Sequence, residues 1–483
     1  MASAQAQYIP LCVDLDGTLI GSDLLYESFI QCLRTQPWLC FLWPWWLLGG
    51  KANLKRQLAR RQKIDFATLP YNRAVLDWLT TEHKRGRELI LCTASDEILA
   101  RRVSDHLGIF SEVIGSDGSH NISGANKCQM LVKRFGSHGF DYAGNSRTDL
   151  AVWRECHAAV VVNASRGVLE SSQRVASVER VFPRVASKLD LIRILRPYQW
   201  LKNLLIFVPI VTGHHILEVR LLERTAVMFV AFCMCASGAY LLNDLVDLEA
   251  DRQHPTKRNR PFAAGKCPLV VGLCLAPIIT LAGFLLVSVL GPLPMAALAT
   301  YVAGTLVYSW YLKRKALLDV FALSGLYALR VGAGHVSAGI GYSPWLLSFC
   351  MFTFLSLACG KRVSELRNLA TTQQIWAAGR AYQTGDSLQL NIFGVSCGFL
   401  ASLVLTLYIS SPAVTPLYRQ PLLLWTLCPL FLYWINRIWL FAGRGSLHED
   451  PLIFAARDRV TYAVVAAACV VIVLATFDWL PTL

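Results

Sequence analysis

Long apolar segments fill the second half of the chain, and they constrain its fold more than any other feature. From about residue 203 they follow one another with short polar breaks, whereas residues 1–200 alternate charged and apolar stretches. An apolar stretch of about 20 residues can cross a bilayer as a helix. The sequence therefore predicts a multi-domain protein, with a soluble domain followed by an all-α membrane bundle of about nine spanning helices. The spans are expected near residues 203–217, 225–243, 268–290, 292–311, 317–338, 343–360, 389–410, 421–441 and 461–479.

The basic residues predict how this bundle is oriented. Lys and Arg cluster around residues 252–260, 313–315, 361–367 and 444–459, and loops rich in these residues remain in the cytoplasm. We expect a multi-pass protein of the cell (inner) membrane with a cytoplasmic N-terminal domain. An odd number of spans places the C-terminus on the opposite side. The first residues lack a basic stretch followed by an apolar one, so no signal peptide is expected to export the N-terminal domain.

The net charge of +14 has two candidate explanations, nucleic acid or a membrane with anionic substrates. A nucleic-acid-binding protein usually carries its Lys and Arg in one patch or stripe. Here these residues lie between apolar runs instead. We therefore predict no nucleic-acid partner and assign the charge to membrane topology and anionic substrates.

Residues 1–185 are predicted to form a doubly wound α/β domain, and residues 186–483 the membrane domain. Apolar, β-prone segments at 8–13, 88–92 and 140–143 each end in polar residues, and helical patterns separate them. A largely helical insert at about 24–84 is expected to form a cap. Two interpretations of its Trp-rich run at 37–46 stay open: an interfacial membrane anchor, or the apolar core of the cap.

Two carboxylates lie two residues apart in the sequence DLDGT at residues 14–18, where the first strand should end. One can attack a phosphoryl group while the other protonates the leaving oxygen and then activates water. Three further groups follow in order: Thr93 can bind phosphate, Lys127 can neutralise phosphoryl charge, and Asp149 lies near an expected Mg²⁺ position.

Over about residues 8–165 this pattern resembles the haloacid dehalogenase (HAD) superfamily of phosphatases. The resemblance implies that Asp14 is the nucleophile, Asp16 the general acid and base, and Mg²⁺ the cofactor. The metal site would comprise Asp14, Asp16, Asn145 and Asp149. The last family motif usually begins with Gly-Asp, whereas Asn145 stands at that acidic position, which implies weaker Mg²⁺ binding. A degenerate regulatory or docking domain is the alternative.

An acidic segment, NDLVDLEAD at residues 243–251, lies at the cytoplasmic end of a predicted spanning helix. Asp244, Asp247 and Asp251 are three and four residues apart, so they should share one helix face. Mg²⁺ bridging them to a diphosphate would relieve their repulsion. A solvated loop is the alternative, although ionisable groups at this depth are usually functional. The further candidate substrate-binding residues are Lys202, Asn203, Asn243, Lys257, Arg258, Arg260, Tyr308, Lys313, Arg330, Lys361 and Arg362.

The acidic motif and the number of predicted helices resemble the UbiA superfamily of intramembrane prenyltransferases, over residues 195–480. Four sequences resemble one branch, the decaprenyl-phosphate phosphoribosyltransferases: RPYQWLKN at 196–203, HPTKRNRP at 254–261, YSWYLK at 308–313 and GKR at 360–362. The second acidic motif that is usual in prenyltransferases acting on aromatic rings is reduced here to Asp319.

This resemblance implies that Mg²⁺ on Asp244, Asp247 and Asp251 holds phosphoribosyl diphosphate, and that a polyprenyl phosphate lipid captures the ribose as diphosphate leaves. The N-terminal domain would then remove the 5-phosphate to give polyprenyl-phosphoryl ribose. Two alternatives stay open: an aromatic prenyltransferase that takes a polyprenyl diphosphate, and a transporter or sensor with a regulatory phosphatase-like domain. A homo-oligomer is also left open.

Overall fold

The structure, a computed structural model, describes residues 9–62, 64–184, 187–371, 381–412, 414, 418–447 and 451–476. The chain divides into two compact units. The first, called here the N-terminal unit, comprises Met1–Leu195 and Tyr240–Ala276; the second, the helical unit, comprises Arg196–Ala239 and Pro277–Leu483. The acidic segment therefore belongs to the same compact unit as the α/β domain. The domain boundary near residue 185 stays a prediction.

One parallel sheet of six strands forms the centre of the N-terminal unit. In chain order the strands are β1 (Leu11–Val13), β2 (Leu89–Asp96), β3 (Glu112–Ser116), β4 (Asp141–Gly144), β5 (Ala159–Val162) and β6 (Val178–Phe182). Their spatial order is β3-β2-β1-β4-β5-β6. β1 lies between β2 and β4, with Leu11 opposite Leu89 and Asp141. The predicted parallel α/β fold is confirmed, and its crevice is expected where the strand order reverses beside β1.

The α-helices of the described residues are, in chain order, α1 (Leu24–Thr35), α2 (Trp43–Leu48), α3 (Gly50–Arg61), α4 (Arg73–Lys84), α5 (Glu97–Leu107), α6 (Ala125–Phe135), α7 (Leu150–Trp153), α8 (Arg166–Val175), α9 (Lys188–Arg193), α10 (Val208–Thr212), α11 (Val219–Val246), α12 (Leu248–Gln253), α13 (Leu269–Ser288), α14 (Pro292–Trp310), α15 (Leu318–Ala338), α16 (Pro344–Thr371), α17 (Ser387–Ile409), α18 (Leu427–Gly443), α19 (Pro451–Ala455) and α20 (Arg459–Thr476). Short 3₁₀ segments are Pro37–Leu42, Phe66–Thr68, Arg147–Asp149, Pro197–Phe207, Lys257–Asn259, Leu312–Arg314, Thr384–Asp386 and Pro421–Thr426.

Polar side chains determine where several helices of the N-terminal unit begin. The carboxylate of Asp23 accepts a hydrogen bond from the second residue of α1, and Asp96 does the same for α5. Asn72 caps α4 through its side-chain oxygen. Each cap satisfies a backbone N–H that has no partner inside the helix. The cap of α5 also places this helix directly after β2, at the edge where open parallel α/β sheets usually bind ligands.

Helices cover both faces of the sheet. Leu11 and Val13 of β1 pack with Val75 and Trp78 of α4 on one face, while Cys12 joins the core under α6, α7 and α8 on the other. This alternation follows from the two-residue period of a strand. α4 lies inside the range predicted for the cap, yet it packs against the sheet.

The Trp-rich run is exposed on the surface of the N-terminal unit. Trp38 is 63% exposed, Phe41 83%, Trp45 71% and Leu48 80%. None of the six residues of α2, all of which the structure describes, is buried. The interpretation of this run as the apolar core of the cap is therefore wrong for these side chains.

Six helices within the described ranges are long and apolar enough to cross a membrane: Val219–Val246, Leu269–Ser288, Pro344–Ala370, Thr384–Ile409, Pro421–Gly443 and Arg459–Thr476. They support a multi-pass membrane protein, but the predicted count of nine is not confirmed. The first predicted span forms a 3₁₀ segment and then the short α10, which starts at Val208 beside Pro209. A proline cannot donate the hydrogen bond that a continuous helix needs there. The last predicted span extends past residue 476, and the C-terminus lies outside the described residues.

A buried arginine stabilises the N-terminal unit between α4 and β4. Arg87 binds Glu82 at 3.1 Å, Glu179 at 3.5 Å and also Asp141. The side chains of Arg87 and Asp141 are 7% and 4% exposed. Since an unpaired buried carboxylate is strongly unfavourable, the stability of the sheet should depend on this cation.

Replacing Arg87 by Met should lower the free energy of unfolding of the N-terminal unit by about 3–5 kcal/mol, because two buried carboxylates lose their cation. Arg85→Met is the matched control. Arg85 pairs with the same Glu82, but its side chain is 64% exposed, so the loss should stay below about 1 kcal/mol. The measurement is protease resistance of the full chain in detergent at increasing urea. Equal losses in both variants would contradict this account of the sheet.

Candidate functional site

A cavity of about 280 Å³ lies where β1, β2 and β4 end. It brings together five residues predicted from the sequence, which are Asp14, Asp16, Lys127, Asn145 and Asp149. The other lining residues are Asp23, Lys55, Ala94, Ser95, Ser123, Gly124, Ser146 and Thr148. Parallel strands place their carboxyl ends at one edge of the sheet, so residues far apart in sequence meet there.

A chain of hydrogen bonds crosses the floor of this cavity. The Lys127 ammonium donates to Asp14 Oδ1 and to the Tyr142 hydroxyl, at 2.8 Å each. The Tyr142 hydroxyl in turn donates to Asp149 at 3.0 Å. Sequence reasoning missed Tyr142, which lies within an apolar strand. The signal was available, because a buried tyrosine hydroxyl usually has a hydrogen-bond partner.

Three donors orient Asp16. The backbone N–H of Leu24 donates to Oδ1 at 2.9 Å. The hydroxyls of Ser95 and Thr93 donate to Oδ2 at 2.6 Å and 3.4 Å. Thr93 was predicted to bind phosphate, and in this structure its hydroxyl lies on Asp16, whereas Ser95 was not predicted at all. These contacts hold the Asp16 carboxylate at the first residue of α1.

A glycine is required at position 17, directly after the second carboxylate. Its φ is +75°, a conformation that residues with a side chain rarely adopt, and a Cβ there would lie 2.0 Å from Asn145 Nδ2. Asn145 thus covers the turn of the DLDGT motif. The Asn145 and Ser146 backbone N–H groups donate to Asp149 Oδ2 at 3.1 Å and 2.9 Å.

The electrostatics of the cavity favour a bound cation. Burial raises the pKa of both Asp14 and Asp16 to about 7, and for Asp16 the charge of Asp23 adds to the effect. Four carboxylates line the cavity against the two cations Lys55 and Lys127. Excess negative charge and oxygen ligands are what Mg²⁺ requires, so the donor chemistry fits that ion.

The carboxylates alone do not complete a metal site. Across the described ranges, no three His, Cys, Asp or Glu side chains lie close enough together to hold a metal ion. Asn145, which also lines the cavity, is the additional oxygen ligand that the sequence predicts. Its assignment as a ligand stays a prediction.

The acidic segment crosses the end of one helix and the start of another. α11 ends at Val246 and Asp247 precedes α12. The backbone nevertheless continues in helical fashion, because Asp247 N–H donates to Asn243 O at 2.9 Å and Asp251 N–H to Asp247 O at 2.8 Å. Asp244 and Asp251 are buried, at 4% and 3% exposure.

Arg260 lies between two of the three predicted metal ligands. Its guanidinium binds Asp244 at 3.2 Å and also binds Asp251. The two carboxylates therefore converge on one point where a positive charge is stabilised. Arg260 was predicted to bind phosphate, and its ion pairs were not anticipated. Lys257 and Arg258 are exposed beside it.

The acidic segment also packs against α1 within the N-terminal unit. Glu27 of α1 forms an ion pair with Arg252 of α12, and the two side chains are 7% and 6% exposed. Arg34 binds Glu249 at 2.8 Å. A Cβ on Gly21 would meet the carbonyl oxygen of Gly265 at 2.9 Å, so the two backbones touch. The helix that begins beside Asp16 is thus bound to the helix that carries Asp251.

The helical unit brings together two predicted residues that are far apart in sequence. Arg330 Nε donates to Asn203 Oδ1 at 2.9 Å, and the guanidinium also binds the Tyr301 hydroxyl at 3.0 Å. Lys202 lies over the Tyr327 ring at 5.8 Å. Arg330 is 5% exposed, so protein groups satisfy this buried charge.

Arg362 is enclosed in a second polar cluster of the helical unit. It binds Asp319 at 2.6 Å, Glu365 at 2.6 Å and the Tyr308 hydroxyl at 3.1 Å. The Tyr382 hydroxyl also donates to Asp319. Arg362 and Asp319 are 1% and 0% exposed, whereas Lys313 and Lys361 are half-buried. The direct binding of substrate by Arg362 stays a prediction.

Known proteins match both parts of the chain. The haloacid dehalogenase-like hydrolase family matches residues 11–154, and the UbiA prenyltransferase family matches residues 208–455. The chain is 38% identical over 473 residues to the uncharacterized protein y4nM of Sinorhizobium fredii, which covers 96% of this chain and 90% of that protein.

Two further proteins resemble the membrane half. The decaprenyl-phosphate phosphoribosyltransferase of Mycolicibacterium smegmatis is 39% identical over 181 residues, or 37% of this chain and 57% of that protein. The structure of a UbiA homolog from Archaeoglobus fulgidus bound to GPP and Mg²⁺ aligns with a TM-score of 0.46 and 14% identity, over 59% of this chain and 99% of that one. From its matches to the two families, the chain belongs to the UbiA prenyltransferase family and carries a haloacid dehalogenase-like hydrolase domain at its N-terminal end.

Proposed function

We propose that the chain is a bifunctional membrane enzyme. It transfers the 5-phosphoribosyl group from phosphoribosyl diphosphate to a polyprenyl phosphate, and its HAD domain then removes the 5-phosphate to leave polyprenyl-phosphoryl ribose. The observation that carries the proposal is the packing of the acidic segment and the HAD domain in one compact unit, through Glu27 and Arg252. The similarity to decaprenyl-phosphate phosphoribosyltransferases supports the choice of substrates.

In the transferase step, Asp244, Asp247 and Asp251 are the residues that would hold Mg²⁺. Bound there, the ion would neutralise the diphosphate. Arg260 already lies at the point where Asp244 and Asp251 converge, so it can donate to diphosphate oxygens instead. The bond from ribose C1 to the diphosphate breaks, and an oxygen of the lipid phosphate forms the new bond. The exposed Lys257 and Arg258 would attract the 5-phosphate.

In the phosphatase step, the Asp14 carboxylate attacks phosphorus while the 5-oxygen of the ribose leaves and takes a proton from Asp16. Asp16 then takes a proton from water, which attacks phosphorus and releases inorganic phosphate from Asp14. Lys127, at 2.8 Å from Asp14, would neutralise the phosphoryl oxygens. Ser95 and Leu24 would hold Asp16 in the orientation that both proton transfers need.

The arrangement of Asp319 argues against the aromatic prenyltransferase alternative. This carboxylate stands where such enzymes carry their second acidic motif, but here it is fully buried and paired with Arg362. A carboxylate enclosed in this way would have to lose an ion pair before it could bind a metal. In the proposed transferase step, the acidic segment at residues 243–251 is therefore the one that would hold Mg²⁺.

Replacing Asp14 or Asp247 by Asn should separate the two steps. With phosphoribosyl diphosphate and a polyprenyl phosphate, the wild type should form lipid-linked ribose. Asp14→Asn should stop at the lipid-linked phosphoribose, and Asp247→Asn should form neither product. Mass spectrometry of the lipid fraction identifies each species. Asp105→Asn, on an exposed position of α5, is the control and should match the wild type.

Two outcomes would contradict the proposal. If polyprenyl diphosphate is consumed with an aromatic acceptor and no ribosyl lipid forms, the chain follows the alternative reaction. If ribosyl transfer proceeds but Asp14→Asn gives the same product as the wild type, the HAD domain does not act on this phosphate.

Replacing Asn145 by Asp should strengthen Mg²⁺ binding in the HAD domain, because a charged oxygen ligand replaces an amide. The Mg²⁺ concentration that gives half-maximal phosphatase activity should fall roughly tenfold. Asn163→Asp is the control, since the Asn163 side-chain amide also contacts this turn, where it donates to the Gly17 carbonyl oxygen at 3.4 Å, but Asn163 does not line the cavity. An unchanged Mg²⁺ requirement in Asn145→Asp would exclude this residue as a ligand.

A further inference from the structure

The HAD domain exposes an apolar surface that its fold does not explain. This surface, called here the aromatic segment, comprises residues 37–48 and includes the side chains of Trp38, Phe41, Trp45 and Leu48, which are between 63% and 83% exposed. Leu42 and Leu47 add 42% and 51% exposure. Contiguous exposed apolar surface of this kind usually marks a binding site for another molecule or for a membrane.

Basic residues surround the aromatic segment. Residues 37–61 contain five Lys or Arg and no Asp or Glu. Lys51, Arg60 and Arg61 of α3 are exposed, and the Arg61 guanidinium lies over the Trp46 ring at 4.8 Å. Tryptophan prefers the headgroup region of a bilayer, and lysine and arginine are attracted to anionic lipids.

A bilayer is the occupant that this chemistry favours. The same chain carries six described helices that are apolar enough to cross a membrane, so a lipid surface accompanies every copy of the HAD domain. Aromatic side chains bordered by cations are typical of segments that lie in the membrane surface.

The aromatic segment is connected to the catalytic cavity by a single helix. α3 follows α2 directly, and its Lys55 lines the cavity and donates to the Ala94 carbonyl oxygen at 2.6 Å. The neighbouring Arg56 pairs with Asp96 at 3.3 Å. These contacts anchor α3 to the end of β2, so the aromatic segment keeps a defined position relative to the cavity.

We infer that the aromatic segment binds the membrane surface and holds the HAD site against it, so that the site takes phosphate esters carried on a membrane lipid. This inference rests on the proposed function and adds the surface by which the same site reaches its lipid-linked substrate. Binding to anionic lipid would raise the local concentration of a lipid-linked phosphate at the cavity. The local concentration of a water-soluble phosphate ester would not depend on the segment.

Fluorescence quenching tests the membrane contact without reference to activity. The full chain is placed in vesicles that contain anionic lipid, with or without bromine on the acyl chains near the headgroups. The difference in tryptophan emission between the wild type and the double variant Trp38→Phe/Trp45→Phe is the emission of the two exposed tryptophans. We expect brominated lipid to quench that emission and aqueous acrylamide to leave it largely unquenched. Trp153→Phe is the control, because Trp153 is fully buried in the same domain. Its emission, obtained from the same kind of difference, should be quenched neither by brominated lipid nor by acrylamide.

Two results of this experiment would overturn the membrane contact. Acrylamide quenching without quenching by brominated lipid would place the segment in water. Quenching by neither, together with two chains in each particle, would show that a second copy covers the segment instead.

Activity measurements test the substrate class. In the triple variant Trp38→Ser/Phe41→Ser/Trp45→Ser, kcat/KM for a lipid-linked phosphate in vesicles should fall about tenfold. The fall should come from a higher KM rather than from a lower kcat. Hydrolysis of p-nitrophenyl phosphate should change less than about twofold, because the cavity is untouched. Met130→Ser/Val181→Ser removes apolar side chains that are 37% and 41% exposed elsewhere on the domain and should leave both substrates unaffected.

An equal loss with both substrates would show that the segment only stabilises the fold, which would overturn the inference. A wild type that hydrolyses p-nitrophenyl phosphate but no lipid-linked phosphate would overturn the substrate class. If the wild type hydrolyses no phosphate at all, the proposed phosphatase function fails and the substrate class fails with it. The quenching result then still decides whether the segment contacts the membrane.

Discussion

Burying a charge without a partner costs several kcal/mol, in a protein interior as in a membrane, and both units are arranged around this constraint. Lys127 neutralises Asp14 beneath the cavity, and Arg260 bridges two carboxylates of the acidic segment. In the helical unit, Arg362 and Asp319 are almost fully buried against each other. The charged groups of the candidate sites are therefore also groups whose removal would disturb the fold.

The ion pair between Glu27 and Arg252 connects the two candidate sites inside the N-terminal unit. α1 begins at Leu24, whose N–H holds Asp16, and one turn later Glu27 binds the helix that carries Asp251. A displacement of α1 would therefore change the positions of side chains at both sites. This coupling is a physical reason for the two candidate sites to share one chain.

Several features of the sites depend on partners that sequence spacing does not reveal. Tyr142 and Ser95 became part of the HAD site because β1, β2 and β4 are neighbours in the sheet. The pairing of Arg260 with Asp244 and Asp251 depends on the turn after α12, which returns the chain toward α11. Hydropathy likewise does not reveal that the first predicted span is divided between a 3₁₀ segment and α10, where Pro209 lies.

The sequence by itself determined the two classes of domain, the HAD motif directly after β1 and the acidic segment, because strand ends, apolar runs and carboxylate spacing are local properties of the chain. Only the tertiary structure decided which cation neutralises which carboxylate, that the Trp-rich run faces outward, and that the acidic segment packs against α1. Those outcomes depend on contacts between residues far apart in sequence, such as Glu27 and Arg252, which are 225 positions apart. Local pattern carries no information about such pairs, since their energies arise only when folding excludes water from both partners.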